Sequence, residues 1–393
     1  MPKLLQINVC SAVLSTGKIV EDISKVAARH GWETYSAWGR YAESSVSTQL
    51  RVGNGIHTLF HYAGHKLFDS EGLASKNPTR RLVQQIEMIN PDIIHIHNIH
   101  DHYLNYPLLF KYLSQKQTPV VWTQHDCWSF TGGCMYYDLQ NCSKWKTGCT
   151  DCPEHRAIIS DKTEKQFSMK RDLISDVDNL TFVPVCDWLG NALKESIHKD
   201  KPMETIHNGV DTSVFRPSGT ADGEKFRILG VAAVWDKRKG LDDFIKLRRL
   251  LPDNFEITLV GLSGKQLKEL PEGIKGLSRT TDVQELVKLY SESDVFVNPT
   301  YSDCFPSTNI EALACGTPII TYRTGGSPEA VDDCTGAVID QGDIEGLAGK
   351  VKEFESGCFK QIHTDDCRKR AEEKFDKDYC FEKYFELYNR LMK

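Results

Sequence analysis

The chain has 393 residues, 40% hydrophobic and 26% charged, with a formal net charge of −6 at pH 7. This length exceeds a single compact core and suits two domains, and the composition is globular, not disordered or fibrous. The acidic balance gives no reason to expect a nucleic-acid partner, because the basic stretches 165–171 and 237–239 are short.

Along the chain, short apolar runs alternate with longer amphipathic stretches, the pattern of repeated strand–helix units on a parallel sheet. The spacing predicts strands at Leu4–Cys10, Asp92–His97, Val120–Gln124 and Thr181–Cys186, with helices at Gly17–His30, Thr79–Ile89 and Asp187–Ile197. A polar stretch at 208–223, containing glycines and a proline, marks a boundary. Beyond it the predicted strands are Arg227–Val234, Glu256–Val260, Asp294–Asn298 and Pro318–Tyr322. The matching helices are Leu241–Leu251, Val283–Ser293, Ser307–Cys315 and Ile344–Phe354. After Phe375 the rings of Tyr379, Phe381, Tyr384, Phe385 and Tyr388 are spaced for one face of a terminal helix. The expected domains are therefore 1–205 and 206–375, with a helix over 376–393 packing back on the first. The class is α/β with two Rossmann-like domains.

No run of about 18 apolar residues occurs, and the first apolar stretch is strand-sized, without the long apolar core of a signal peptide. The expectation is a cytoplasmic protein, with the inner face of a membrane as a site of peripheral association.

The stretch from Asn298 to Pro318 carries the most chemistry. A strand ends at Asn298–Pro299 and a helix begins near Ser307, which puts Asp303 in the loop at the carboxyl edge of the sheet and Glu311 about one turn into the helix. Ser307, Thr308 and Asn309 would present backbone N–H groups there, and the helix dipole suits a diphosphate. Two acids beside an anion site make sense as hydroxyl binders, since a bare carboxylate repels phosphate. As an isolated pattern, the same stretch reads as an ordinary strand–loop–helix.

The acid-x7-acid spacing, followed by Glu311-Ala-Leu-Ala-Cys-Gly-Thr-Pro318, resembles the Glu-x7-Glu motif of retaining glycosyltransferases of family 4, which have the GT-B fold. The resemblance implies two domains facing across a cleft, with Asp303, one methylene shorter than the family's Glu, on the donor hexose and Glu311 on the ribose. It places Phe305, Ser307, Thr308, Asn309, Gly325, Gly326 and Glu329 around the donor. In Val234–Gly240 the family has an Arg and then Lys-Gly. Lys239–Gly240 matches the pair, whereas the Arg position falls on Ala233 and leaves Lys237 or Arg238 to replace it. Such cations would neutralise the leaving diphosphate, so no catalytic metal is expected.

In the first half, the segment Ser11–Lys18 follows a strand and precedes a helix, and the resemblance makes Gly17 part of a loop closing over the phosphates. His125 ends a strand at the ligand edge. A lone histidine there is more often structural, but the resemblance places one beside the transferred sugar, with Asp126 behind it. The run His95-Ile-His97-Asn-Ile-His100-Asp-His102 admits a zinc pair at His95 and His97, but is read as acceptor-side lining and packing, with His97 and His100 facing the acceptor.

Thirteen cysteines are mostly scattered as small apolar residues. Cys134, Cys142, Cys149 and Cys152 instead cluster in a polar loop over 127–155, where a structural zinc, four reduced thiols and an occasional disulfide are all open readings. That loop and the preceding His125-Asp-Cys-Trp-Ser-Phe-Thr-Gly-Gly-Cys134 resemble members that build bacterial capsular or exopolysaccharide chains. The implied reaction moves a hexose or deoxyhexose from a UDP- or GDP-linked donor to a saccharide or lipid-linked saccharide, with retention. An epimerase of the same fold and a non-catalytic sugar-nucleotide-binding subunit are the alternatives.

Overall fold

The computed structural model describes residues 1–154, 157–219 and 225–393. These form two compact units, Met1–His207 with Phe381–Lys393, and Asn208–Cys380.

The first unit runs β1 (Lys3–Ser11), α1 (Leu14–Arg29), β2 (Glu33–Ala42), β3 (Thr48–Arg51), α2 (Gly55–Phe68), α3 (Lys76–Ile89), β4 (Ile93–Ile96), α4 (Tyr106–Leu113), β5 (Val120–Gln124), α5 (Thr163–Ser175), β6 (Leu180–Pro184) and α6 (Asp187–Glu195). Its strands lie in the order β3-β2-β1-β4-β5-β6, all parallel. β1, β4, β5 and β6 are buried along almost their whole length, which is why they read as continuous apolar runs: helices cover both faces of such a sheet.

The second unit repeats this plan with β7 (Phe226–Val231), α7 (Leu241–Leu250), β8 (Phe255–Val260), α8 (Gly264–Glu269), β9 (Ile274–Leu277), α9 (Val283–Glu292), β10 (Val295–Asn298), α10 (Ser307–Ala314), β11 (Ile319–Tyr322), β12 (Gly336–Ile339), α11 (Ile344–Ser356) and α12 (Phe359–Lys374). The order β12-β11-β10-β7-β8-β9 is the same 3-2-1-4-5-6 arrangement, again parallel. One core of Ile228, Phe244, Leu247, Ile257, Leu259, Val295, Val297, Tyr322 and Val351 packs α7 and α11 on the sheet. Each such side chain contributes roughly 1.5–3 kcal/mol on burial.

Both units therefore have a switch point, where strand order reverses between their first and fourth strands and leaves a crevice at the carboxyl edge. The reversal lies at β1/β4 in the first unit and β7/β10 in the second.

The last helix, α13 (Lys377–Leu391), brings its aromatic face into the first unit. Tyr388 Oη lies 2.7 Å from His95 Nδ1, Thr123 Oγ1 donates to Tyr384 Oη at 3.0 Å, and Phe385 stacks on His30. With its other nitrogen 2.7 Å from Thr123 Oγ1, His95 has both ring nitrogens engaged and is a core residue. It neither lines an acceptor surface nor offers itself as a zinc ligand.

Candidate active site

In the second unit, two loops meet at the switch point. After β7 the chain makes a single 3-10 turn, Lys237–Lys239, capped by the Asp236 side chain on the Lys239 N–H. Gly240 then takes φ +72°, where a β-carbon would stand 2.2 Å from Pro299 O, so the turn can lie against the chain leaving β10 only with glycine there. Tyr301 N and Thr300 Oγ1 both donate to Arg238 O and lock the two loops together.

This contact delivers Lys239 Nζ to 2.5 Å from Asp303 Oδ2, with Arg238 Nη1 at 3.7 Å and also donating to Ser302 O at 2.9 Å. All three side chains are about one-fifth exposed. Asp236 Oδ2 also lies 3.9 Å from Arg238 Nε, so the turn sets Lys237, Arg238 and Lys239 against Asp236 and Asp303, three cations to two carboxylates. Lys237 is exposed on the same turn, so Arg238 is the cation that reaches the cluster.

Asp303 is gripped from behind as well. Gly326 N donates to its carbonyl, and Gly325 at φ +52° lies so close that a β-carbon would fall 1.9 Å from that oxygen. Beyond the loop, α10 starts after Pro306 with no side-chain cap, so the N–H groups of Ser307 and Thr308 and the helix dipole face the same edge. One turn in, Glu311 Oε2 accepts from the hydroxyl of Tyr290 at 3.1 Å. Burial, and then Glu311 itself, hold that phenol well above its ordinary range, which keeps it a donor.

Two expected contacts fall elsewhere. Asn309 is fully buried: its Oδ1 accepts from Asn298 Nδ2 and its Nδ2 donates to Ser327 Oγ, so it fastens α10 to β10 and to the 3-10 turn Ser327–Ala330 that carries Glu329. Phe305 is buried against Phe375.

In the first unit, Gly17 does not sit in a loop. The chain enters α1 at Leu14, with Ala12 and Leu14 taking the left-handed conformation, and Gly17 lies inside the first turns of the helix. A β-carbon there would meet Cys10 Sγ at 3.0 Å, so the glycine serves close helix–strand packing.

At the carboxyl edge of β4 and β5 the hydrogen bonds define a proton pattern. Gln6 Nε2 donates to Val20 O and Ser24 Oγ, which leaves Gln6 Oε1 to accept from His97 Nε2 at 3.0 Å. His97 Nδ1 must then accept from His125 Nε2, 3.1 Å away. Burial drives His97 well below its ordinary pKa and lowers His125 to about 4, so both rings are neutral. His125, the one partly exposed member, is left with Nδ1 as an acceptor, suited to a hydroxyl.

Next to it the opposite state is built. Burial opposes a charge on His100, but Asp126 Oδ2 at 2.9 Å overcomes it and raises His100 to about 9. Burial pushes Asp126 upward, yet His100 and the Trp128 N–H bring it below its ordinary value. His97, His100 and Asp126 are each less than one-tenth exposed. They set the state of their surroundings, and of this group only His125 is placed to touch a ligand.

Helix α2 is turned inside out. Ile56, Leu59 and Phe60 are 65%, 65% and 73% exposed, and Leu67 shares their stripe, while His61 lies on the buried face. Ile158 and Ile159, both exposed, bond through their N–H groups to the carbonyls of Lys66 and Leu67 and extend the patch. Lys66 and Lys162 flank it over the rings of Tyr62 and Phe68. Lys76 and Arg80 line an adjoining groove of about 360 Å³ with His57 and Phe60. None of these residues belongs to an expected site. An exposed apolar stripe at helical spacing, with histidines opposite, is the signal that marks them.

Among the described residues, no helix is long and apolar enough to cross a membrane. The four clustered cysteines line a separate cavity of the first unit.

Comparison with known proteins agrees with this architecture. Residues 17–214 match the model of Glycosyltransferase Family 4, and residues 225–355 match that of Glycosyl transferases group 1. WcaC of Escherichia coli (strain K12), named as a colanic acid biosynthesis glycosyl transferase, is 22% identical over 365 residues, covering 87% of this chain and 88% of that protein. D-inositol 3-phosphate glycosyltransferase of Mycolicibacterium smegmatis is 28% identical over 172 residues, 38% of this chain and 39% of that protein. Sucrose-phosphate synthase from Thermosynechococcus elongatus superposes with a TM-score of 0.76 at 16% identity, covering 100% of this chain and 99% of its own. Anabaena HepE in complex with UDP-glucose superposes at 0.64, with 15% identity and 99% of each chain covered. With two Rossmann-like units of GT-B type and a family model spanning half its length, this chain belongs to glycosyltransferase family 4.

Proposed function

We propose that this glycosyltransferase moves a hexose or deoxyhexose from a nucleotide-diphosphate sugar to a saccharide acceptor, with retention at the anomeric carbon, during assembly of a capsular or exopolysaccharide. The observation that carries the reading is Asp303, pinned between Lys239 and Arg238 at the head of an uncapped helix that also bears Glu311. A diphosphate satisfies the excess positive charge and the N–H groups, while the two carboxylates accept from hydroxyls of the sugar and the ribose. In the reaction the bond from C1 to the diphosphate oxygen breaks as one to the acceptor oxygen forms on the same face. The acceptor's proton leaves on the departing diphosphate. Lys239 and the dipole of α10 stabilise that leaving group, and the lone pair of His125 Nδ1 holds a sugar hydroxyl.

UDP is the favoured nucleotide, in line with the UDP and UDP-glucose complexes of HepE, and an exopolysaccharide product agrees with the name of WcaC. The exposed stripe of α2 with its lysine and arginine rim supports a lipid-linked acceptor and peripheral attachment to an anionic membrane. The test begins with a panel of UDP- and GDP-sugars scored by thermal stabilisation, since a tight ligand raises the melting temperature by mass action. NMR of the product made from the stabilising donor then gives its anomeric configuration. Glu311→Ala should lose transfer by at least about 100-fold. Wild-type transfer by that variant to a confirmed acceptor overturns the assignment, and release of nucleotide with an altered free sugar points to an epimerase instead.

A further inference from the structure

We propose that Cys134, Cys142, Cys149 and Cys152 hold one structural zinc ion. The inference is independent of the donor and acceptor chemistry, because none of these residues belongs to either site.

The four side chains come from separate points on a long excursion between β5 and α5, and all four line one cavity of about 20 Å³. That volume admits a single water-sized species. Between Thr131 and Lys162 the described residues contain no strand and no α-helix, only two single 3-10 turns, Tyr137–Gln140 and Lys144–Lys146. A segment this long without regular structure needs a fastening. On one side it has one: Trp145 packs on Phe130 and Tyr137, and Tyr137 stacks on Trp188. On the other side, around Cys149 and Cys152, the fastening is backbone and thiols. Lys144 Nζ donates to the carbonyls of Thr150 and Asp151, which holds the Cys149-x2-Cys152 turn over the cavity.

Burial raises the free thiols of Cys134, Cys149 and Cys152, and two backbone N–H groups aimed at the sulfurs work against it. Gly132 N donates to Cys149 Sγ at 3.2 Å, and Glu154 N does the same for Cys152. Lys170 on α5 is wholly buried, with its ammonium on the carbonyls of Trp128 and Thr131 beside Gly132, and no carboxylate lies within ion-pairing distance among the described residues. A zinc ion on four thiolates would carry a net double negative charge, and Lys170, which burial lowers to about 7, would meet part of it in its protonated form. Among the described residues no three of these sulfurs lie within 4.8 Å of one another. In a tetrahedral site they would be about 3.8 Å apart, so the ion draws them inward from the cavity wall. A closed four-sulfur shell leaves no open position, and the role is to rivet the loop that follows His125 and Asp126.

The experiment uses the full chain, purified without added metal and without chelator. Elemental analysis is expected to find one zinc per chain, and a mercurial reagent should release it as the clustered thiols react. Cys149→Ser and Cys152→Ser should each lose the zinc, while Cys358→Ser, at an exposed thiol elsewhere, keeps it. Should the cluster variants fail to fold, cobalt exchanged into the wild-type chain must give the intense near-ultraviolet bands of tetrahedral thiolate ligation. Substoichiometric zinc with all thirteen thiols titrating freely overturns the proposal. So does a mass lower by the four hydrogens of two disulfides.

Discussion

Lys239 and Asp303 are 64 residues apart in sequence and 2.5 Å apart in space, joined across the switch point of the second unit. A part-buried ion pair of this kind does little for stability by itself; its value is a fixed carboxylate beside a cation that can move to a phosphate. Lys239→Met should therefore lower kcat by about 100- to 1,000-fold, the usual cost of removing one preorganised charge from a leaving group. Asp303→Asn should mainly raise KM for the donor. In a double-mutant cycle the two losses should fall short of additive, because each single change already releases its partner. A Lys239→Met enzyme within threefold of wild type would remove the lysine from the mechanism.

Gly325 makes a separate prediction about the same carboxylate. At φ +52° with Asp303 O in the way of a β-carbon, Gly325→Ala cannot be accommodated without moving the loop. Displacement of about 1 Å at a reacting site costs on the order of 100-fold in rate, so kcat/KM should collapse while the melting temperature falls only a few degrees. Gly349→Ala is the control: it lies on α11 with open space around it, and there alanine should leave activity intact and raise stability slightly. Equal losses of rate in the two variants would show that the position of Asp303 is not what the glycine protects.

How much of this was readable in advance follows burial and distance along the chain. β1, β4, β5 and β6 announce themselves because both faces are covered. β3, β9 and β12 are four-residue strands at or near sheet edges, and β2 mixes glycine, arginine and serine with its aromatics, so neither length nor alternation marks them out. α2 hides for the opposite reason: it has the apolar spacing of a core helix but turns that stripe outward. Asp303 and Glu311 are legible because one continuous strand–loop–helix carries both. The pairing with Lys239 and the Gln6–His97–His125 relay are not, since they depend on which strands become neighbours. Gly17 misleads because a glycine after a first strand suggests a phosphate loop, yet Ala12 and Leu14 make the sharp turn themselves.

The histidines of the first unit set its response to pH. His61, His125 and His198 are each lowered to about 4, chiefly by burial, so they are neutral when folded, while the unfolded chain takes protons below about 6.5. Their contribution is complete above that value and is lost as pH falls from 6.5 toward 4. His100 behaves in the opposite sense. Raised to about 9, its pairing with Asp126 stabilises fully below 6.5 and is lost as pH rises through 9. Melting temperature measured from pH 4.5 to 10 should therefore fall on both sides of a plateau near neutrality. Asp126→Asn should lower that plateau by several degrees and remove the alkaline decline. Superimposable wild-type and variant profiles would show that the pair does not carry the effect.

The outward stripe of α2 calls for a measurement on membranes. A leucine and a phenylalanine that enter the headgroup boundary each gain up to roughly 1.5–3 kcal/mol, and each flanking cation adds about 1 kcal/mol on an anionic surface. The wild-type chain should co-sediment with vesicles containing phosphatidylglycerol, bind phosphatidylcholine vesicles far less, and detach as salt is raised. Leu59→Glu with Phe60→Glu replaces two side chains already in solvent, so the fold and the donor-induced thermal shift should persist. Vesicle partitioning should drop at least tenfold in that double variant. Because the donor site lies in the other unit, transfer to a water-soluble acceptor should continue while transfer to a lipid-linked one declines. If the double variant binds anionic vesicles as wild type does, the stripe has another purpose, and the acceptor need not be tethered to lipid.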